Sequence, residues 1–208
     1  MFTNFIEQLI FELKKTLPGK EAQNKMAPRF LKEISTFNHY ETPLKSSVLI
    51  LFYPKNNDIY TVFIKRAIDG KTHSGQIAFA GGKFNPEDQN LKQTALREAE
   101  EEIGIFANDV KLIGTLTNHY IPISNIIITP VVGYLDYEPF FIPNKSEVQD
   151  IIEIPIKELM ANHNKGVEIL SVHGYEIEAP FFNAHSNHIW GATAMILSEL
   201  FEISGKLI

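Results

Sequence analysis

The chain has 208 residues, 44% of them hydrophobic and 21% charged, with a formal net charge of −6. That composition fits a globular protein with a core able to bury most of its apolar side chains. The acidic balance, without any Lys/Arg cluster, argues against a nucleic-acid partner. The absence of cysteine excludes disulfides, thiolate metal sites and a cysteine nucleophile.

Taken in chain order, Phe2, Phe5, Ile6, Ile10 and Leu13 recur at helical spacing and predict an amphipathic first helix. Its apolar face packs on the rest of the chain or, alternatively, on a second subunit as a homodimer. Glu7 and Glu12 interrupt it, so it lacks the apolar core of a secretory leader and is a poor membrane-surface helix. No apolar run reaches bilayer-spanning length. A cytoplasmic location without a membrane partner is therefore expected. Residues 17–46, with Pro18-Gly19, Pro28 and Pro43, are expected to be irregular. The expected organisation is a lead-in over 1–45 packed on a main domain over 46–208.

Strand-like runs follow at Ser47–Tyr53, Ile59–Lys65 and Gln76–Ala80. A loop over Gly81–Asn90 leads to a helix over Leu91–Ile103, which Gly104 ends. Further strands are expected at Val110–Thr117, Ile126–Leu135, around Val148–Ile154, at Val167–Val172 and at Tyr175–Phe182, before a last helix over Gly191–Phe201. The predicted fold class is α/β or α+β, a mixed sheet between helices.

The helix over Leu91–Ile103 carries the chemistry. Steps of three and four residues place Glu98, Glu101 and Glu102 on one face, beside an apolar stripe of Leu96, Ala99 and Ile103. Arg97, one turn before Glu101, is placed to orient its carboxylate. Three carboxylates aimed at one volume repel each other, and a hard divalent cation such as Mg²⁺ or Mn²⁺ relieves that conflict. Glu102 is expected at an exposed, metal-facing position, and the Gly81-Gly82 pair allows a main-chain carbonyl, that of Gly82, to complete the coordination. A solvated acidic helix face is the plain alternative.

The string from Gly82 to Ile105 resembles the Nudix hydrolase box: Gly, five residues, Glu, seven residues, then Arg-Glu-aliphatic-x-Glu-Glu-x-Gly-aliphatic. Arg97, Glu98, Glu101, Glu102, Gly104 and Ile105 match in register. Asp88 stands where Glu is usual, one extra residue precedes Arg97, and Ala99 is small for its position. The longer loop with Asp resembles a coenzyme A diphosphatase subgroup. That subgroup has an upstream signature, approximately Leu-Leu-Thr-x-Arg-Ser/Ala, three residues, Arg, three residues, Gly, three residues, Phe-Pro-Gly-Gly. Arg66, Ala67, Gly75, Phe79, Gly81 and Gly82 align with it, while Ile64, Lys71 and Ala80 depart from it. Segments 45–50, 129–133 and 188–194 look similar too.

The resemblance implies a Nudix α/β/α sandwich and a metal-dependent diphosphatase acting on a small nucleotide. Its favoured substrate is coenzyme A or a derivative, cleaved to 4′-phosphopantetheine and adenosine 3′,5′-bisphosphate. ADP-ribose, dinucleotides or other nucleoside diphosphates are the alternative substrates, and a non-catalytic nucleotide-binding regulator is the alternative class. In this reading Glu98 and Glu102 are metal ligands, and Glu101 is a further ligand or the base that deprotonates water. Glu147 is the alternative base, or else an acid in a helix-start box capped by Asn144. Arg66, Lys71, His73 and Lys83 are candidates for substrate phosphates, or surface residues. Trp190 and Tyr120 are weighed for adenine stacking, with core packing favoured for Trp190. The remaining histidines lack a zinc-protease spacing.

Overall fold

In the computed structural model, residues 1–32, 41–68, 74–161, 164–172, 174–205 and 207 are described. The first helix, α1 (Phe2–Glu12), buries Phe5, Ile6 and Leu9. These join the main core cluster, with Phe2, Ile10 and Leu13 packed against it. The stretch expected to be irregular contains a short helix α2 (Gly19–Asn24) and a two-residue strand β1 (Arg29–Phe30). Strands too short to show a period leave no sequence signal.

The long strands β2 (Leu44–Lys55) and β3 (Asp58–Arg66) form an antiparallel hairpin. Its turn uses Asn56 and Asn57 at φ 50° and 59°, a left-handed pair suited to a two-residue hairpin. Successive side chains of β2 alternate between two cores. Ile50 and Phe52 enter one cluster, and Leu49, Leu51 and Tyr53 enter the other. This strand therefore reads as an apolar run because both of its faces are covered.

The hairpin anchors an eight-stranded mixed sheet. It is completed by β4 (Ile77–Ala78), β5 (Gly81–Lys83), β6 (Lys111–Thr115), β7 (His119–Ile121), β8 (Ile126–Tyr134) and β9 (Val148–Pro155). β8 runs parallel to β2, while β5 pairs antiparallel with its first residues. One face is covered by α3 (Leu91–Ile103), through Ala95, Ala99 and Ile103. The other is covered by α1 and α5 (Gly191–Ser204), with the short α4 (Ile156–Met160) beside them. The result is the expected helix–sheet–helix sandwich.

A second, four-stranded sheet is built from β1, β10 (Lys165–Val172), β11 (Tyr175–Ala184) and β12 (Asn187–Trp190). Trp190 is half-buried and caps the start of α5, consistent with packing rather than stacking on a base. No helix among the described residues is long and apolar enough to cross a membrane.

Candidate active site

The ends of α3 are set locally. Asn90 accepts hydrogen bonds from the backbone N–H of Lys92 and Gln93, and Gly104, at φ 72°, closes the helix. These are an N-cap and a left-handed C-cap of the usual kinds. With its axis fixed, α3 lays its acidic face along β5. A side chain at Gly82 would meet the Glu98 carboxylate and push it aside, so glycine lets that carboxylate lie against β5.

The three glutamates do not share one environment. Glu102 is 2% exposed, and its Oε2 accepts the Gly81 N–H at 2.8 Å. The expectation that it stands exposed is therefore corrected: β5 closes over this part of the helix face. The Glu98 side chain is 16% exposed, whereas that of Glu101 is 54% exposed. Among the described residues no three His, Asp or Glu side chains already gather around a cation-sized volume.

Arg97 organises the cluster. Its Nε and Nη2 donate to the two oxygens of Asp88 at 2.9 and 3.0 Å. Its Nη1 reaches Glu98 at 2.8 Å and Glu101 at 3.3 Å. Asp88 is buried and also accepts from Thr94 Oγ1 at 2.8 Å and Asn85 N–H at 3.0 Å. The guanidinium and these donors hold its carboxyl well below the usual carboxylate range. Thr94 was not singled out in the sequence, because its role depends on where the preceding loop returns. Ser46 was missed as well: its hydroxyl donates to the Gly82 carbonyl at 2.6 Å from the neighbouring strand.

Arg66 ends β3 with Nη1 3.8 Å from Glu102 Oε1. Lys83 is exposed at the end of β5, and its carbonyl accepts from Arg97. Lys71 and His73 lie outside the described residues. Glu147 is exposed in a turn before β9, where Ser146 N–H and Oγ bind the Asn144 side chain. Asn144 thus starts a turn into a strand, and the helix-start alternative is corrected. Tyr120 is exposed on β7 and donates its hydroxyl proton to Asn125.

Burial, with repulsion from Glu98 and Glu147, raises the Glu102 pKa to about 7, against the pull of Gly81 and Arg66. Burial also raises Glu98, opposed by Arg97. Two desolvated carboxylates beside a glycine pair, with oxygen donors only, suit a hard divalent cation. A carboxyl raised on folding contributes stability below its unfolded pKa, near 4.5, and loses it as pH rises through the folded value of about 7. A cation bound to the ionised form restores that loss. We therefore expect Mg²⁺ or Mn²⁺, at ~100 times its Kd, to raise the melting midpoint by roughly 5–10 °C above pH 7 and much less at pH 5.5. A shift that is absent, or equal at both pH values, in differential scanning fluorimetry would contradict a cation at these carboxylates.

Residues 43–170 match the NUDIX domain family model. The chain is 35% identical over 176 residues to an uncharacterized Nudix hydrolase, NudL, of Yersinia pestis (strain Pestoides F), covering 80% of this chain and 84% of that one. The NudL of Yersinia pseudotuberculosis serotype O:1b gives the same values. Among solved structures, the Nudix hydrolase RenU of M. smegmatis superposes with a TM-score of 0.55 at 14% identity, covering 81% of this chain and 90% of that one. A MutT/nudix family protein from Enterococcus faecalis gives 0.54 at 15% identity, covering 84% and 66%. These two likenesses concern the fold alone. The family model, the Yersinia relatives and the acidic helix set against a glycine pair lead to one assignment: the chain belongs to the Nudix family and is a Nudix hydrolase.

Proposed function

We propose that this Nudix hydrolase cleaves the diphosphate linkage of coenzyme A or a derivative, adding water to give 4′-phosphopantetheine and adenosine 3′,5′-bisphosphate. The observation that carries this reading is the place of Arg66. It belongs to the upstream signature by which the chain resembles the coenzyme A-like subgroup, and its guanidinium stands 3.8 Å from the buried Glu102 carboxylate. The signature and the box thus meet at one point, where a substrate phosphate would displace a weak ion pair and take up the guanidinium fork.

Glu98 and Glu102 would hold the family's divalent cation, which when bound supplies charge neutralisation for the diphosphate and acidifies water. The protein's own groups divide the remaining tasks. Asp88 anchors Arg97, and Arg97 sets the direction of Glu98 and Glu101. Arg66 and Lys83 contribute positive charge for phosphate in a chain of net charge −6. Of the two candidate bases, Glu101 is engaged by Arg97, while Glu147 has no hydrogen-bonded cation among the described residues and adds its field to Glu98 and Glu102. Glu147 is therefore assigned the proton of the attacking water, and Glu101 a supporting role beside Arg97.

The test is a substrate panel with products identified by mass. Coenzyme A is expected to exceed 3′-dephospho-coenzyme A and ADP-ribose in kcat/KM. Arg66→Ala is expected to narrow that gap roughly ten- to a hundredfold, the loss of a charged contact of ~1.5–3 kcal/mol. ADP-ribose as the better wild-type substrate would end the coenzyme A reading and leave the Nudix assignment standing.

A further inference from the structure

Nothing among the described residues pairs with the outer edge of the second sheet. Among the described residues β10 pairs only with β11, in unbroken antiparallel register from Lys165↔Phe182 to Val172↔Tyr175. Along its other edge no described residue pairs with the backbone N–H and C=O groups. Exposed edges in natural proteins are commonly blunted by bulges, prolines, short length or outward charges. β10 has eight residues, no bulge in its ladder and no proline, and it turns Val167 (58% exposed) and Ile169 (66% exposed) to solvent. Glu168 points to the opposite face, where it binds His188 at 3.0 Å.

The charges on the open face have a pattern of their own. Lys165, Val167, Ile169 and Ser171 share this face with Pro180, Glu178 and Glu176 opposite them on β11. Lys165 marks one end and Glu176 the other. The Lys165 ammonium lies 5.5 Å from the Phe182 ring, and neither Lys165 nor Glu176 has an ion-pair partner among the described residues. Turning this face about a two-fold axis exchanges its ends.

We propose that β10 pairs antiparallel with β10 of a second copy of this chain, fusing two four-stranded sheets into one continuous sheet across the dimer. The pairing satisfies both edges at once and sets Val167 and Ile169 side by side with their counterparts near the axis, shielding part of their apolar surface. It also brings each Lys165 toward Glu176 of the second copy. Such an interface is isologous and closes on itself. Its affinity rests on main-chain hydrogen bonds and its register on the side chains, as in other strand additions. The same charge inversion favours a second copy over an unrelated strand.

Sedimentation equilibrium on the full chain tests this, with melting curves and diphosphatase turnover confirming that each variant is folded. The wild type is expected to be a dimer. Ile169→Lys, Lys165→Glu and Glu176→Lys should each raise the dimer dissociation constant by ~10-fold or more, since a like-charged group then faces its counterpart. The double variant Lys165→Glu/Glu176→Lys should restore wild-type association. A wild type monomeric at ~100 μM, well above the working range of a specific dimer, overturns the proposal. A dimer indifferent to Ile169→Lys, or a double variant no better than its singles, overturns it equally.

Discussion

Glu102→Gln is expected to lower kcat by ~10²-fold or more and at the same time to raise the melting midpoint of the metal-free protein. The two effects have one origin. Glu102 is 2% exposed and its pKa is raised to about 7. Holding it ionised therefore costs the empty site up to ~3 kcal/mol above pH 7. Glutamine keeps the size and accepts the Gly81 N–H, but carries no charge to desolvate. The wild type should converge on the variant's stability at acid pH, where Glu102 is protonated in both the folded and unfolded states. Metal affinity, read by titration calorimetry, should fall in Glu102→Gln and stay unchanged in Glu147→Gln, which should lose kcat only. Glu100→Gln, whose carboxylate accepts the Ala107 N–H on another side of the helix, serves as control. A folded Glu102→Gln enzyme with near wild-type turnover would remove this residue from the site, and metal binding lost in Glu147→Gln would make Glu147 a ligand rather than a base.

Asp88→Ala should be the most destabilising change near the site. It leaves the Arg97 guanidinium, whose side chain is only 27% exposed, without its two-bond partner, strands the Asn85 N–H, and leaves the Thr94 hydroxyl only its long contact with the Asn90 carbonyl. Breaking one side of a buried pair commonly costs ~3–5 kcal/mol, about 10 °C or more in midpoint for a chain of this size. Turnover should fall beyond what instability explains, because Arg97 then has no anchor from which to direct Glu98 and Glu101. Thr94→Val, which removes the hydroxyl shared between Asp88 and, more weakly, the Asn90 carbonyl, should cost only ~1 kcal/mol and leave kcat close to wild type. The low pKa of Asp88 places its contribution above its unfolded value near 3.8, so the gap between wild type and Asp88→Ala should shrink as pH falls below that. Equal midpoints at neutral pH would show that this pair does not hold the loop.

Much of the fold is legible because local periods and caps act over a few residues. The apolar stripe read as Leu96, Ala99 and Ile103, ended by Gly104, marked α3 at the residues predicted, Leu91–Ile103, although the structure buries Ala95 more fully than Leu96. β2, β3, β8, β10 and β11 emerge from runs of β-branched and aromatic side chains within a few residues of their observed ends. The pieces that escaped were β1, β5, β7, β12, α2 and α4, β5 lying in the stretch Gly81–Asn90 that was expected to be a loop. All have six residues or fewer, too few for a period to repeat.

The sequence by itself determined which residue types the active helix presents, in what rotation, and which family they resemble. It did not determine their exposure. Three- and four-residue spacing puts Glu98, Glu101 and Glu102 on one side, but which carboxylate is buried depends on β5, joined to α3 through a loop of irregular path. That packing buries Glu102 under Gly81, leaves Glu101 to solvent and Arg97, and turns Asp88 inward as Arg97's anchor. Tertiary structure alone also separated β10 from the main sheet and left its outer edge without a partner strand among the described residues. Helical rotation is a property of neighbouring residues, whereas desolvation, ion pairing and free strand edges depend on contacts between distant ones.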